Sequence, residues 1–123
     1  MILLDSNIII YAMNPDLPQV AGFLEGRRCF ASEITRLEVM GYHRLTNAEY
    51  ALFESFFANI ELLHVSSNVI DQATLLRRKR NIGTGDAIIA ATALIHRLSL
   101  VTRNVKDFAW IGELVITDPL KSV

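Results

Sequence analysis

Short unbroken apolar runs alternate with longer stretches in which apolar residues recur at helical spacing, from one end of the chain to the other. Residues 2–4 read as a strand and residues 7–13 as a short helix. Asn14-Pro15-Asp16 breaks that helix, and Asp16 is placed to cap a second one through about residue 25. Residues 29–31 read as a second strand, after which Ser32 is a natural N-cap for a helix over 33–45. Thr46-Asn47-Ala48-Glu49 has the form of a capping box and starts a helix through about residue 58. A third strand is expected over 60–65, then a helix capped by Ser66 or Ser67 and running to about residue 80. Residues 81–85 form a loop, 86–97 a very apolar helix, 98–102 a fourth strand and 114–117 a fifth.

Strands alternating with helices predict an α/β fold: a three-layer α/β/α sandwich around a mostly parallel five-stranded sheet, with residues 1–123 as one domain. In such sheets the ligand site lies beyond the carboxyl ends of the strands. That rule gives meaning to four acids placed beside apolar structure. Asp5 ends the run Ile2-Leu3-Leu4, and Asp107 lies shortly after the fourth strand. Glu38 and Asp86 sit in helices whose starts can face the same sheet edge. On a wheel of ~100° per residue, Glu38 falls within the face formed by Ile34, Leu37, Gly41, Tyr42 and Leu45 instead of opposite it. Carboxylates beside a core are costly unless paired or bound to a cation. If the fold gathers these four, their repulsion calls for a metal ion.

Each acid also has a plainer role open to it. Asp5 can cap the first helix, Glu38 can be a snorkelling or mis-phased surface acid, Asp86 suits the positive end of its helix dipole, and Asp107 can be a loop acid. Ser6 and Asn7 follow Asp5 and can orient its carboxylate, Thr102 and Asn104 can bond a ligand, a phosphate or a neighbouring carboxylate, and Arg103 and Lys106 can add contacts to RNA phosphates. Arg77-Arg78-Lys79-Arg80 suits a helix C-terminus and is equally suited to holding RNA phosphates. Gly83-Thr84-Gly85 allows close backbone approach but lacks the strand and third glycine of a dinucleotide fingerprint.

Composition narrows the chemistry. A net charge of −1 gives no domain-wide basic field, so any nucleic-acid contact must rest on local cations and bound metal. His43, His64 and His96 are scattered, and with one cysteine, Cys29, there is no zinc-ligand spacing. Oxygen ligands of this kind fit Mg²⁺ or Mn²⁺ and hydrolysis by a metal-activated water. Cys29 fits a small core residue and a reducing cytoplasm. The 51% hydrophobic content suggests two covered sheet faces or an apolar interface, and no run is long enough to span a membrane. Tyr50, Phe53, Phe56 and Phe57 make an aromatic stripe that serves core packing, a dimer interface or a partner groove.

The pieces Leu4-Asp5-Ser6-Asn7-Ile8-Ile9, Ile34-Thr35-Arg36-Leu37-Glu38-Val39, Gly85-Asp86-Ala87-Ile88-Ile89-Ala90-Ala91 and Val101-Thr102-Arg103-Asn104-Val105-Lys106-Asp107-Phe108 occur in this order over essentially the whole chain. Together they resemble the PIN-domain nucleases, most closely the VapC-type toxins of prokaryotic toxin–antitoxin pairs. The resemblance implies a metal-dependent endoribonuclease with Mg²⁺ or Mn²⁺ held by Asp5, Glu38, Asp86 and Asp107. It implies cleavage leaving a 5′ phosphate and a 3′ hydroxyl, a homodimer, and a small antitoxin that occludes the site. Some members carry the last acid where this chain has Asn104 and others where it has Asp107.

Other classes fit less of the chain. A receiver domain needs clustered acids after the first strand and a late lysine, where this chain has Val101-Thr102-Arg103. A haloacid-dehalogenase-type phosphatase needs a second acid where Asn7 stands. A non-catalytic module on the same fold, or a nuclease acting on DNA or in RNA processing, shares all of these residues.

Overall fold

The computed structural model describes residues 1–121, two short of the expected domain span. Among the described residues five strands form one sheet in the order β3-β2-β1-β4-β5: β1 (Ile2–Leu4), β2 (Cys29–Ser32), β3 (Glu61–Leu63), β4 (Ser99–Val101) and β5 (Ile116–Thr117). Every pairing is parallel, with Leu3 opposite both Phe30 and Leu100, and Leu4 opposite Val101. Strands this short can hold a sheet together only if both faces are covered, and they are. Alternate residues point to opposite faces. Leu3, Phe30 and Leu100 join one apolar cluster, and Ile2, Leu4, Ala31 and Val101 join the other.

The first cluster is closed by α5 (Ser67–Lys79) and α6 (Thr84–His96). All residues from Ala87 to Ala93 are buried, as expected of a helix with almost no polar face. The short α7 (Val105–Phe108) adds Phe108 to this layer. The opposite cluster is closed by α1 (Ser6–Ala12), α2 (Pro18–Leu24) and α4 (Asn47–Ala58), through Ile8, Ile9, Val20, Phe53 and Phe57. Within the aromatic stripe, therefore, Phe53 and Phe57 are core, whereas Tyr50 is 46% exposed. Between the layers, α3 (Glu33–Met40) touches α1, α4 and α6.

The capping box is present: the Thr46 hydroxyl accepts from the Glu49 N–H, and the Glu49 carboxylate accepts from the Thr46 N–H. Ser32 and Ser66 cap α3 and α5 as expected. Asp16 does not cap α2. Pro18 starts that helix at a position needing no N–H, and Asp16 instead donates its backbone N–H to the Asn14 side chain in a tight turn. Helix α3 stops at Met40 with Gly41 as its C-cap, well short of residue 45. Its buried residues are Thr35 and Val39, so the wheel drawn through Leu37, Tyr42 and Leu45 chose the wrong face; Leu37 is 65% exposed. Cys29 is half-buried at the start of its strand, where partial burial raises its thiol pKa. His43, His64 and His96 all lie on the surface.

Candidate active site

The chain runs outward from β1 to β2 and β3, then returns to lay β4 on the other side of β1. The gap between the carboxyl ends of β1 and β4 is thus the topological switch point, where parallel sheets bind ligands. Asp5 stands there, 5% exposed. Its Oδ1 accepts the Ser6 N–H at 2.8 Å and its Oδ2 accepts the Thr102 hydroxyl at 2.7 Å. Asp5 is therefore the N-cap of α1 and also stands at the crevice. Burial raises its pKa and Asp107 raises it further, while the bonds from Thr102 and Ser6 pull it down.

Asp86 lies in the first turn of α6 beside this point. Its carboxyl is pushed up to about 6, first by desolvation and then by repulsion from Asp5, Asp107 and Glu38 in turn. Three acids from separate segments thus act on Asp86, and Asp107 acts on Asp5 as well. Glu38 reaches across from α3 and is exposed. Its Oε1 accepts the Ser6 hydroxyl at 2.7 Å, and its Oε2 rests against Gly85, where a Cβ would stand 2.6 Å away. The glycine before Asp86 is thus the clearance that lets Glu38 approach. This close approach, together with the exposure of Glu38, replaces the expectation that Glu38 points into the core.

Asp107 and Asp86 share the wall of a polar cavity of about 240 Å³ with Arg80, Asn81, Lys106 and Trp110. Asn104 has another position. It precedes α7, its backbone N–H bonds the Thr102 hydroxyl at 3.0 Å, and it does not line the cavity. Asn7 accepts the Arg103 N–H at 3.5 Å, which ties the start of α1 to the segment after β4. The Arg103 guanidinium is occupied by Asp118, with both carboxylate oxygens at 3.0 Å, so its side chain acts as a structural clamp. Within the basic run, Arg77 bonds the Ile82 carbonyl at 3.2 Å, Arg78 and Lys79 are exposed away from the cavity, and Arg80 alone lines it. Trp110 and Asn81 were not singled out by the sequence. The one available signal was the position of Trp110, three residues after Asp107.

Among the described residues no three His, Cys, Asp or Glu side chains form a closed ligand set for a metal ion. Asp5, Asp107 and Glu38 are nevertheless near enough to raise the Asp86 carboxyl. A looser ring of hard oxygens suits Mg²⁺ or Mn²⁺, which keep several waters and take only one or two carboxylates directly. The donor set fits such an ion: all ligand candidates are oxygen, one is buried and clamped, and one is raised by desolvation and by the neighbouring carboxylates.

The chain is similar to known proteins in both sequence and fold. The PIN domain family model matches residues 2–114. Over 80 residues the chain is 41% identical to the Ribonuclease VapC of Rickettsia bellii (strain RML369-C), a match that takes in 63% of this chain and 58% of that protein. The chain thus spans less than two-thirds of that curated relative. It is similar over 99% of its length to all of a chain in a toxin–antitoxin complex from Klebsiella pneumoniae, with a TM-score of 0.81 and 28% identity. A chain of VapBC-1 from nontypeable Haemophilus influenzae gives the same TM-score of 0.81 and 28% identity, over 98% of this chain and 100% of that one.

Proposed function

The chain belongs to the PIN-domain family, and on that premise we propose that it is a metal-dependent endoribonuclease serving as the toxin of a toxin–antitoxin pair. The observation that carries this reading is the convergence of Asp5, Glu38, Asp86 and Asp107 at the switch point, with Asp86 raised by desolvation and then by the other three. Such a cluster is poorly stable without a divalent cation, and a scaffold that holds it against its own repulsion is built to receive one.

In this reading Asp5 is the fixed member, held in one rotamer by Ser6 and Thr102. Ser6 also fixes Glu38, so one residue aligns two acids. Asp86 and Asp107 close the crevice on the cavity side. A Mg²⁺ or Mn²⁺ held by these acids would supply an acidified water and offset charge on the phosphate. The acids position that chemistry, and Arg80 and Lys106 at the cavity rim draw in the phosphodiester backbone. Water adds to phosphorus, the bond from phosphorus to O3′ breaks, and the proton balance leaves a 3′ hydroxyl and a 5′ phosphate. No side-chain nucleophile takes part.

The antitoxin assignment draws on the toxin–antitoxin complexes that the chain resembles. An apolar cleft of about 230 Å³ lined by Ile10, Val39, Tyr42, Leu45 and Phe53 lies beside Glu38 and supports a partner that covers the site. A homodimer and a cytoplasmic location belong to the same proposal; among the described residues no helix is long and apolar enough to cross a membrane. Purified protein freed of any antitoxin should cleave a mixed RNA pool with Mg²⁺ or Mn²⁺, and fail with EDTA or as Asp86→Asn. Cleavage that persists in Asp86→Asn would remove these acids from the mechanism.

A further inference from the structure

The cavity beside Asp86 and Asp107 contains a group that phosphodiester hydrolysis does not require. Trp110 is partly buried and packs against the apolar cluster that includes Phe108, Ile111 and Leu114. Its indole N–H donates to the Asp107 carbonyl at 3.0 Å, which fixes the ring plane relative to an acid of the site. The Arg80 guanidinium lies over that ring, 5.6 Å from its centroid. Arg80 and Lys106 are exposed, and among the described residues neither has a carboxylate partner, although Asp86 and Asp107 share their cavity. An anchored aromatic face, two unpaired cations and the Asn81 carboxamide thus surround about 240 Å³ that opens onto the acids.

Aromatic faces combined with cations are how proteins hold single-stranded nucleic acid: the base stacks, and the phosphate meets the cation. We propose that the space between Arg80, Lys106 and Trp110 is a subsite for the nucleotide next to the scissile phosphate: the exposed Arg80 side chain swings off the Trp110 ring, the base takes its place on that face, and the phosphate lies against Arg80 and Lys106. This rests on the nuclease reading and adds to it. The enzyme holds an unpaired nucleotide beside the acids, so it selects single-stranded over helical RNA. Asn81 supplies both a donor and an acceptor to the edge of the stacked base.

Trp110 is the only tryptophan of the chain, so its fluorescence reports on the subsite alone. A mixed-sequence RNA hexamer titrated in EDTA should quench it, and an abasic ribose-phosphate oligomer of equal length should not. By anisotropy of a labelled hexamer, Trp110→Leu and Arg80→Gln should each bind about ten-fold more weakly, whereas Trp110→Phe keeps its affinity. With metal present the same two variants should raise KM and leave kcat in place. Arg80 is exposed, so its variant tests the subsite without disturbing the core. RNA binding with unchanged fluorescence, and unchanged affinity in both variants, would overturn the subsite. Cleavage under those conditions would leave the nuclease standing. Quenching by RNA without metal-dependent cleavage would keep the subsite and remove the nuclease, and absence of RNA binding would remove both.

Discussion

The Thr102 hydroxyl donates to Oδ2 of Asp5 at 2.7 Å, a bond between residues 97 apart that joins the ends of the two central strands. Thr102 is fully buried and also accepts the Asn104 N–H, so both of its hydrogen-bonding directions are used. Thr102→Val keeps the shape and leaves a buried carboxylate without its side-chain donor. The expected cost is about 1–3 kcal/mol of stability and a loss of at least about ten-fold in RNA cleavage, with Thr102→Ser recovering most of both. Thermal unfolding and a cleavage assay on the two variants check it.

Asp86 predicts an unusual pH dependence for the metal-free protein. Its folded pKa of about 6 lies above its ordinary 3.8, so the folded state binds the proton more tightly. The stability this contributes is fully present below about pH 4 and is lost as pH rises through about 6. At neutral pH, Asp86→Asn should therefore be more stable than wild type in EDTA, by roughly 1 kcal/mol after allowing for partial exposure and the lost charge at the helix start. The gap should close in acid. Melting curves at both pH values in EDTA test this, and a variant less stable than wild type at neutral pH would contradict it.

Gly85 separates stability from activity. A Cβ there would stand 2.6 Å from Oε2 of Glu38, the free end of an exposed side chain that can swing away. Gly85→Ala should leave the melting temperature unchanged or slightly raised, because Ala is favoured over Gly in a helix by about 1 kcal/mol. Displacing Glu38 should lower cleavage by about ten-fold or more.

Divalent cation should stabilise the wild-type fold. Saturation at about one hundred times Kd adds about 2.7 kcal/mol through mass action. Mg²⁺ or Mn²⁺ titrated into EDTA-stripped protein should raise Tm, and the shift should vanish in Asp5→Asn and shrink in Glu38→Gln. An equal shift in Asp5→Asn would place the ion elsewhere.

Much of this was legible in the chain because local and global signals agree. The capping box at Thr46, the Ser32 and Ser66 caps and the apolar run of α6 each announce their element. The strand-end rule then places Asp5 at the crevice, and the loop and helix starts bring Asp86 and Asp107 to it. What was hidden depends on contacts distant in sequence or on where an element stops. A wheel assumes a helix that continues, and α3 ends at Gly41, so the apparent face through Tyr42 and Leu45 does not exist. Arg103 looked available for RNA until Asp118, from a later loop, proved to hold it. Asn104 and Asp107 were indistinguishable until the short helix α7 turned only the second toward the cavity.

The strand order also has a consequence for the nascent chain. The central strand is made first, yet one of its two neighbours, β4, is not made until residues 99–101 have been added. Until that part of the chain leaves the ribosome, Asp5 lacks Thr102, and both Asp107 and the cavity wall are missing. A chain released early would carry the first acids without the site. The crevice is thus completed only when the segment from Ser99 to Asp107 has joined β1, after the chain that carries the other three acids has already been made.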